Sequence, residues 1–257
     1  MVEITSNAAN GTPNWVDIGV PDLTRAKEFY TALLGWEYLD GGPDTGGYNL
    51  ATKKGKPVAG VMQNPEPDAT EFWWGLYFST DDSDGTAKRI TDAGGTIVLG
   101  PDDVMDLGRL TIAKDPQGAQ FGLWEGRNHI GAQLVNEPGG FTWNELVVPE
   151  TGPSAAFYAA VLGQPVEPMG VEGFDYATIN VDGRPVAGIY GDPQGGAPRW
   201  VTYFAVDDAD EAARTVVAQG GTVVSEPKDS PYGRFAVVRD PFGAEFAVMK
   251  VAENPSS

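Results

Sequence analysis

Trp15-Val-Asp-Ile-Gly-Val-Pro-Asp22 returns 128 residues later as Trp143-Asn-Glu-Leu-Val-Val-Pro-Glu150. In the first copy Val16, Ile18 and Val20 alternate with Trp15, Asp17 and Gly19, the pattern of a half-buried strand. Each copy leads into a helix carrying Phe-Tyr (Phe29-Tyr30, Phe157-Tyr158) and closing at Leu-Gly (Leu34-Gly35, Leu162-Gly163). Asp22 fits the N-cap of the first helix and Gly35 its C-terminal stop.

Outward from that stretch the registers continue to agree. Val58-Ala-Gly60 matches Val186-Ala-Gly188, Tyr77-Phe78 matches Tyr203-Phe204, and Gly108-Arg109 matches Gly233-Arg234. Each half closes with an Asp-Pro-x-Gly turn, at Asp115 and Asp240. Lys54-Gly55 and Asp182-Gly183 read as hairpin turns. Within each half, a strand, a capped helix and three strands occur twice. The chain is therefore four βαβββ modules, an α+β fold in tandem halves. The expected boundaries are a loose tail at 1–11, a first domain at 12–126, a linker at 127–140, a second domain at 141–252 and a tail at 253–257.

Composition narrows the function. The net charge of −19 argues against nucleic acid and anionic membrane as partners. The absence of cysteine removes disulfides, thiolate metal sites and cysteine nucleophiles. The single histidine, His129, rules out a two-histidine metal site within one chain. With no apolar run of membrane-spanning length and no signal-peptide pattern at the start, a cytoplasmic protein is the expectation. No nucleotide-binding glycine motif is present.

The module order, the Phe-Tyr…Leu-Gly helices and the closing turns together resemble the vicinal oxygen chelate superfamily: glyoxalases, bleomycin-resistance proteins and extradiol dioxygenases. The resemblance spans about residues 12 to 251 and is nearest to two-domain actinobacterial glyoxalase-like proteins, some labelled hydroxylases. It implies sheets curled into clefts. In family enzymes these hold a divalent metal through His, Gln or Glu. Carried over one at a time, those positions fall on Trp15, Gly60, Gly75 (or Trp74) and Gly122 in the first half. In the second they fall on Trp143, Gly188, Val201 (or Trp200) and Ala247. None can ligate a divalent metal, so no metal and no cofactor is expected.

Strand parity puts Asp17 and Glu145 on the cleft faces beside Trp15 and Trp143. A desolvated carboxylate there could act as a general acid or base; a salt-bridged one, paired with Arg109 or Arg234, is the structural alternative. Tyr77, Trp124, Tyr203 and Met249 share that face, with Tyr48, Phe174 and Tyr176 at the rim. Arg109 and Arg234, each after a glycine, could bind a carboxylate or phosphate. The expectation is a metal-independent cleft for a small, partly aromatic, natural-product-like molecule. A metal-free isomerase, lyase or hydroxylase using Asp17 and Glu145 is the alternative, and an interaction module with a vestigial cleft is a third. A homodimer is left open.

Overall fold

A computed structural model describes residues 4–42, 45–66 and 68–253. The first half runs β1 (Pro13–Val20), α1 (Leu23–Leu34), β2 (Glu37–Asp40), β3 (Asn49–Lys53), β4 (Lys56–Gln63), β5 (Trp74–Ser79), α2 (Ser83–Asp92), β6 (Thr96–Val104), β7 (Gly108–Lys114) and β8 (Gln120–Gly126). The second repeats it: β9 (Phe141–Val148), α3 (Thr151–Leu162), β10 (Val166–Pro168), β11 (Tyr176–Val181), β12 (Arg184–Gly191), β13 (Arg199–Ala205), α4 (Ala209–Ala218), β14 (Thr222–Ser230), β15 (Gly233–Arg239) and β16 (Glu245–Val251). The fold is α+β, with four βαβββ modules in two tandem domains.

Each half forms one eight-stranded sheet, in the orders β2-β3-β4-β1-β5-β8-β7-β6 and β10-β11-β12-β9-β13-β16-β15-β14. The opening strand lies at the centre of each, parallel to the last strand of its own module and antiparallel to the first strand of the next. The quoted stretch thus touches both modules of its half.

Local chemistry sets the helix ends. The Asp22 carboxylate accepts from the Arg25 amide at 3.0 Å, and Gly35 stops α1 in the left-handed region at φ 67°. Glu150 makes no side-chain cap bond. Asp175 takes that role, accepting from the Thr151 amide at 3.0 Å and its hydroxyl at 2.6 Å.

The Phe-Tyr pairs and the Asp-Pro-x-Gly turns meet across the halves. Tyr30 of α1 donates its hydroxyl to Asp240 of the second half at 2.9 Å. Tyr158 of α3 donates to Asp115 of the first at 3.3 Å. Each aspartate also accepts two amides within its own turn. The rings follow: Phe29 packs edge-on on Phe246, and Phe121 on Phe157. A Cβ at Gly95 would lie 2.9 Å from the Phe157 ring, and one at Gly221 3.2 Å from Phe29. The glycines after α2 and α4 thus clear space for the other half's phenylalanine. One buried aromatic cluster runs through both halves, joined by hydrogen bonds that no buried aspartate or phenol could forgo cheaply.

The N-terminal segment and the linker are tied to the sheets. Asn7 donates to the Gly126 carbonyl at 2.8 Å, and Ser79 to Ala8 at 2.9 Å. Residues 127–140 contain no helix or strand, yet Ala132 and Leu134 are buried, and the Ala132 and Gln133 amides bond to Asn14 and Pro57. Two apolar residues among the polar ones anchor this segment. Of the expected end segments, residues 1–3 and 254–257 lie outside the described residues. Among the described residues no helix is long and apolar enough to cross a membrane.

Candidate functional site

The central strand of each sheet carries the same polar cluster on the face away from the helices. In β1, Asp17 pairs in register with Gly75 of β5 and Gly60 of β4. Its carboxylate accepts from the Tyr77 hydroxyl, 3.1 Å from both oxygens, and from the Tyr48 hydroxyl at 3.2 Å. The Trp15 indole N–H donates to Tyr48 Oη at 2.8 Å. In β9, Glu145 takes the place of Asp17. Tyr176 donates to its Oε2 at 2.8 Å, Tyr203 to its Oε1 at 3.0 Å, and Trp143 to Tyr176 Oη at 3.1 Å. Eight of the residues read from the sequence thus form two Trp–Tyr–carboxylate–Tyr clusters. Tyr48 and Tyr176 belong to the clusters, inside the expected rim.

The clusters explain the glycines at the family's metal positions. A Cβ on Gly60 would overlap the Tyr48 hydroxyl, one on Gly122 would overlap the Tyr77 ring, and one on Gly75 would lie 2.9 Å from Asp17 Oδ1. Gly188 likewise makes room for the Tyr176 hydroxyl. Phenols and a carboxylate fill the space toward which the ligand positions point. Trp74 and Trp200, the alternatives to Gly75 and Val201, face the core instead and are buried. Among the described residues no three His, Cys, Asp or Glu side chains gather into a metal-holding group. The residues present do not fit the family's metal.

The two clusters differ in depth. Trp15, Asp17, Tyr77 and Trp124 are buried and Tyr48 is half-buried. The linker contributes to this: the His129 ring packs edge-on against Trp15 at 4.5 Å and lies 5.6 Å from Trp124, whose indole donates to the His129 carbonyl at 2.7 Å. Burial pushes His129 down to about 4, so it is neutral at pH 7. In the second half Trp143, Glu145 and Tyr176 are half-buried, while Tyr203 is buried like Tyr77. There Val201 and Ala247 replace Gly75 and Gly122. The longer glutamate carries its carboxylate further from the sheet.

Above Glu145 opens a cleft of about 440 Å³. Its walls include Phe174, Tyr176, Tyr190, Tyr203 and Phe235. Phe174 stacks on Tyr176 at 5.3 Å with their planes 7° apart. Gly46, Met62 and Leu110 stand in the first half where Phe174, Tyr190 and Phe235 stand in the second. Lys228 also lines the cleft, its Nζ 5.0 Å above the Phe235 ring.

Electrostatics follow burial. Desolvation pushes Asp17 up to about 7, against the opposing hydrogen bonds of Tyr77 and Tyr48. Desolvation also raises Glu145, opposed by Tyr176, Tyr203 and the charge of Lys228. Both phenols donate to the ionised carboxylate. A protonated Glu145 would need one phenol to turn its O–H to another acceptor, which a ligand in the cleft could supply.

The two arginines expected to bind ligand lie elsewhere. Arg109 pairs with Asp84 at 2.5 Å and Asp103 at 3.2 Å; Arg234 pairs with Asp210 at 2.6 Å and Asp229 at 3.1 Å. Each ties its strand to the first turn of a helix, and neither lines the cleft. Met249 is buried and packs against Val147, Val201 and Ala247, and it does not line the cleft. The cleft cations are instead Arg199, Lys228 and Arg239. Phe235, Val237 and Arg239 alternate on one face of β15, and Arg234 has the opposite parity. That alternation was the available signal.

Residues 12–123 match the Glyoxalase/Bleomycin resistance protein/Dioxygenase superfamily, and residues 144–249 match the Glyoxalase-like domain. The chain belongs to this superfamily. CFP32 of Mycobacterium tuberculosis, provisionally named a glyoxylase, is 41% identical over 254 residues, covering 96% of this chain and 97% of its own. The anthracycline biosynthesis protein DnrV of Streptomyces peucetius is 36% identical over 261 residues, covering 95% of each. The Mn(II)-bound glyoxalase of Novosphingobium aromaticivorans shares the fold at TM-score 0.65 and 17% identity, over 96% of this chain and 86% of that one. Among the described residues this member has no ligand set for the family's metal, and it has an aromatic-lined cleft suited to small molecules.

Proposed function

We propose that this protein binds a small, planar, partly aromatic metabolite of the natural-product kind in the second-half cleft, with Glu145 as its polar anchor. The observation that carries this reading is the 440 Å³ cleft walled by aromatic rings over a half-buried, phenol-bonded carboxylate. Such a mix of apolar walls and a few convergent polar groups is the usual make-up of a ligand site. The anthracycline association of DnrV supports a planar aromatic ligand. Asp17 and its partners keep the first domain's sheet in shape. Domain limits of 12–126 and 141–252 accommodate both sheets.

The test is a screen of planar phenols and quinones, including 1-naphthol, by tryptophan fluorescence. Trp143 bonds to the cleft residue Tyr176, so an occupied cleft should change its emission, and a Trp143→Phe variant should lose that change. Sugars and aliphatic acids changing the emission while every aromatic fails would refute the reading.

A second reading makes Glu145 an acid/base catalyst. Its raised pKa favours this, because proton transfer is most effective near the working pH. Glu145→Gln would then abolish turnover of a cleft ligand while sparing its binding. Equal loss of both would count against catalysis.

A further inference from the structure

The cleft adjoins a second cavity, of about 540 Å³, that lies between the halves. Both cavities are lined by Arg199, Val201, Arg239 and Glu245. The polar part of this shared wall is an ion triad. Arg199 donates to Glu245 Oε1 through Nη2 at 2.7 Å and Nε at 3.1 Å, and Arg239 donates to Oε2 at 2.9 Å. By register, Trp73, Lys114 and Gln120 occupy the equivalent places in the first half, and all three line the inter-half cavity. The cavity lies where the two sets face each other.

Trp73 is 52% exposed. Beside it Phe72 packs edge-on on Phe242 at 6.4 Å, bracing one wall from both halves. A large indole left open in a cavity, rather than turned into the core, is a surface available to a ring. The polar fringe decides what kind of ring. Arg199 and Arg239 share the single carboxylate of Glu245, which leaves both N–H donors and carboxylate lone pairs facing the cavity; an anionic group could use only the donors. Hydroxyl groups can use both kinds. They can accept from guanidinium N–H groups still free, from Lys114 and from the Gln120 amide, and donate to remaining lone pairs of Glu245.

We infer that the inter-half cavity is a second subsite, which holds a neutral, hydroxyl-bearing saturated ring joined to the aromatic group over Glu145. The ring stacks its C–H face on Trp73 and spans the Arg199–Glu245–Arg239 wall. This rests on the reading of the Glu145 cleft as a ligand site. The full ligand is therefore an aromatic glycoside or a close analogue, and recognition draws on both halves of the chain.

The experiment titrates the full chain calorimetrically with 1-naphthol and with 1-naphthyl β-D-glucopyranoside. The glucoside should bind about tenfold more tightly, a gain of the size that one stacked ring with its hydrogen bonds supplies. Trp73→Ala, at an exposed position, should erase that gain and leave 1-naphthol affinity unchanged. In protein labelled with 5-fluorotryptophan, the Trp73 ¹⁹F resonance, assigned with Trp73→Phe, should move with the glucoside and stay fixed with 1-naphthol. Equal affinities, or a gain that survives Trp73→Ala, would overturn the subsite while leaving the cleft reading intact. Failure of both probes to bind would overturn the cleft reading and the subsite with it.

Discussion

Asp17 and Glu145 sit at equivalent points of two equivalent sheets, each bonded to two phenols and backed by a tryptophan. The first carboxylate is buried, with Tyr48 of its cluster half-buried, and the second lies under a cleft. Three local differences separate them. Glycines at 75 and 122 let the first cluster sink against its sheet, where Val201 and Ala247 lift the second. Gly46, Met62 and Leu110 leave the first face without the rings that wall the second. The linker then lays His129 against Trp15. A duplicated cluster can keep its hydrogen bonds and still serve as packing in one copy and as a ligand surface in the other.

The largest expected effect concerns the sealed copy. Asp17 titrates near 7 in the folded chain, against a reference value of 3.8. The folded state therefore holds more protons than the unfolded one between those values. This contribution is fully present below about pH 4, falls as pH rises toward 7, and is flat above. The fall amounts to about 4 kcal/mol. Asp17→Asn should remove that slope, so the difference between variant and wild type in urea unfolding should grow steadily from pH 4 to 7. Glu145, Asp115 and Asp240 are raised in the same direction, and the subtraction cancels them. A pH-independent difference would mean that the Tyr77 and Tyr48 hydrogen bonds offset the burial of Asp17 and its pKa is not raised.

Exchange of the small residues comes next. Gly122→Ala drives a methyl into the Tyr77 ring and should destabilise the chain by about 1–3 kcal/mol. Ala247→Gly, the reverse change in the other half, should cost about 1 kcal/mol. Denaturant midpoints with unchanged slopes would report both. Equal costs would erase the proposed difference in packing.

The cleft walls give a smaller effect, on binding alone. Phe235→Ala and Tyr190→Ala should each weaken 1-naphthol by about tenfold, the scale of one lost aromatic contact. The register equivalents Leu110→Ala and Met62→Ala should leave its affinity unchanged. The smallest effect is electrostatic. Lys228 holds Glu145 down through its charge, so Lys228→Gln should raise the Glu145 pKa, followed by its carboxyl ¹³C shift. An unmoved titration would remove Lys228 from the cleft's electrostatics.

Much of this was legible in the sequence because the repeat compares the chain with itself. Trp15 and Trp143 fixed the register, and period-two parity then put Asp17, Tyr77, Glu145 and Tyr203 on one face. The same parity, applied to β15, would have chosen Phe235 and Arg239. Arg109 and Arg234 drew attention instead because each follows a glycine; the structure spends them on surface ion pairs. The joining of Tyr30 to Asp240 and of Tyr158 to Asp115 was not legible. It depends on how two sheets dock, and no spacing within one half encodes that. Nor was the sealing of the first cluster, which depends on a linker whose composition reads as loop while Ala132 and Leu134 bury it.

The most direct test of divided roles is the number of 1-naphthol sites per chain, measured by calorimetry on wild type, Asp17→Asn and Val201→Trp. One site is predicted, kept in Asp17→Asn and abolished in Val201→Trp, whose indole would fill the cleft. Two equivalent sites, or a single site lost with Asp17→Asn and kept with Val201→Trp, would contradict the division between a sealed first cluster and a ligand-binding second one.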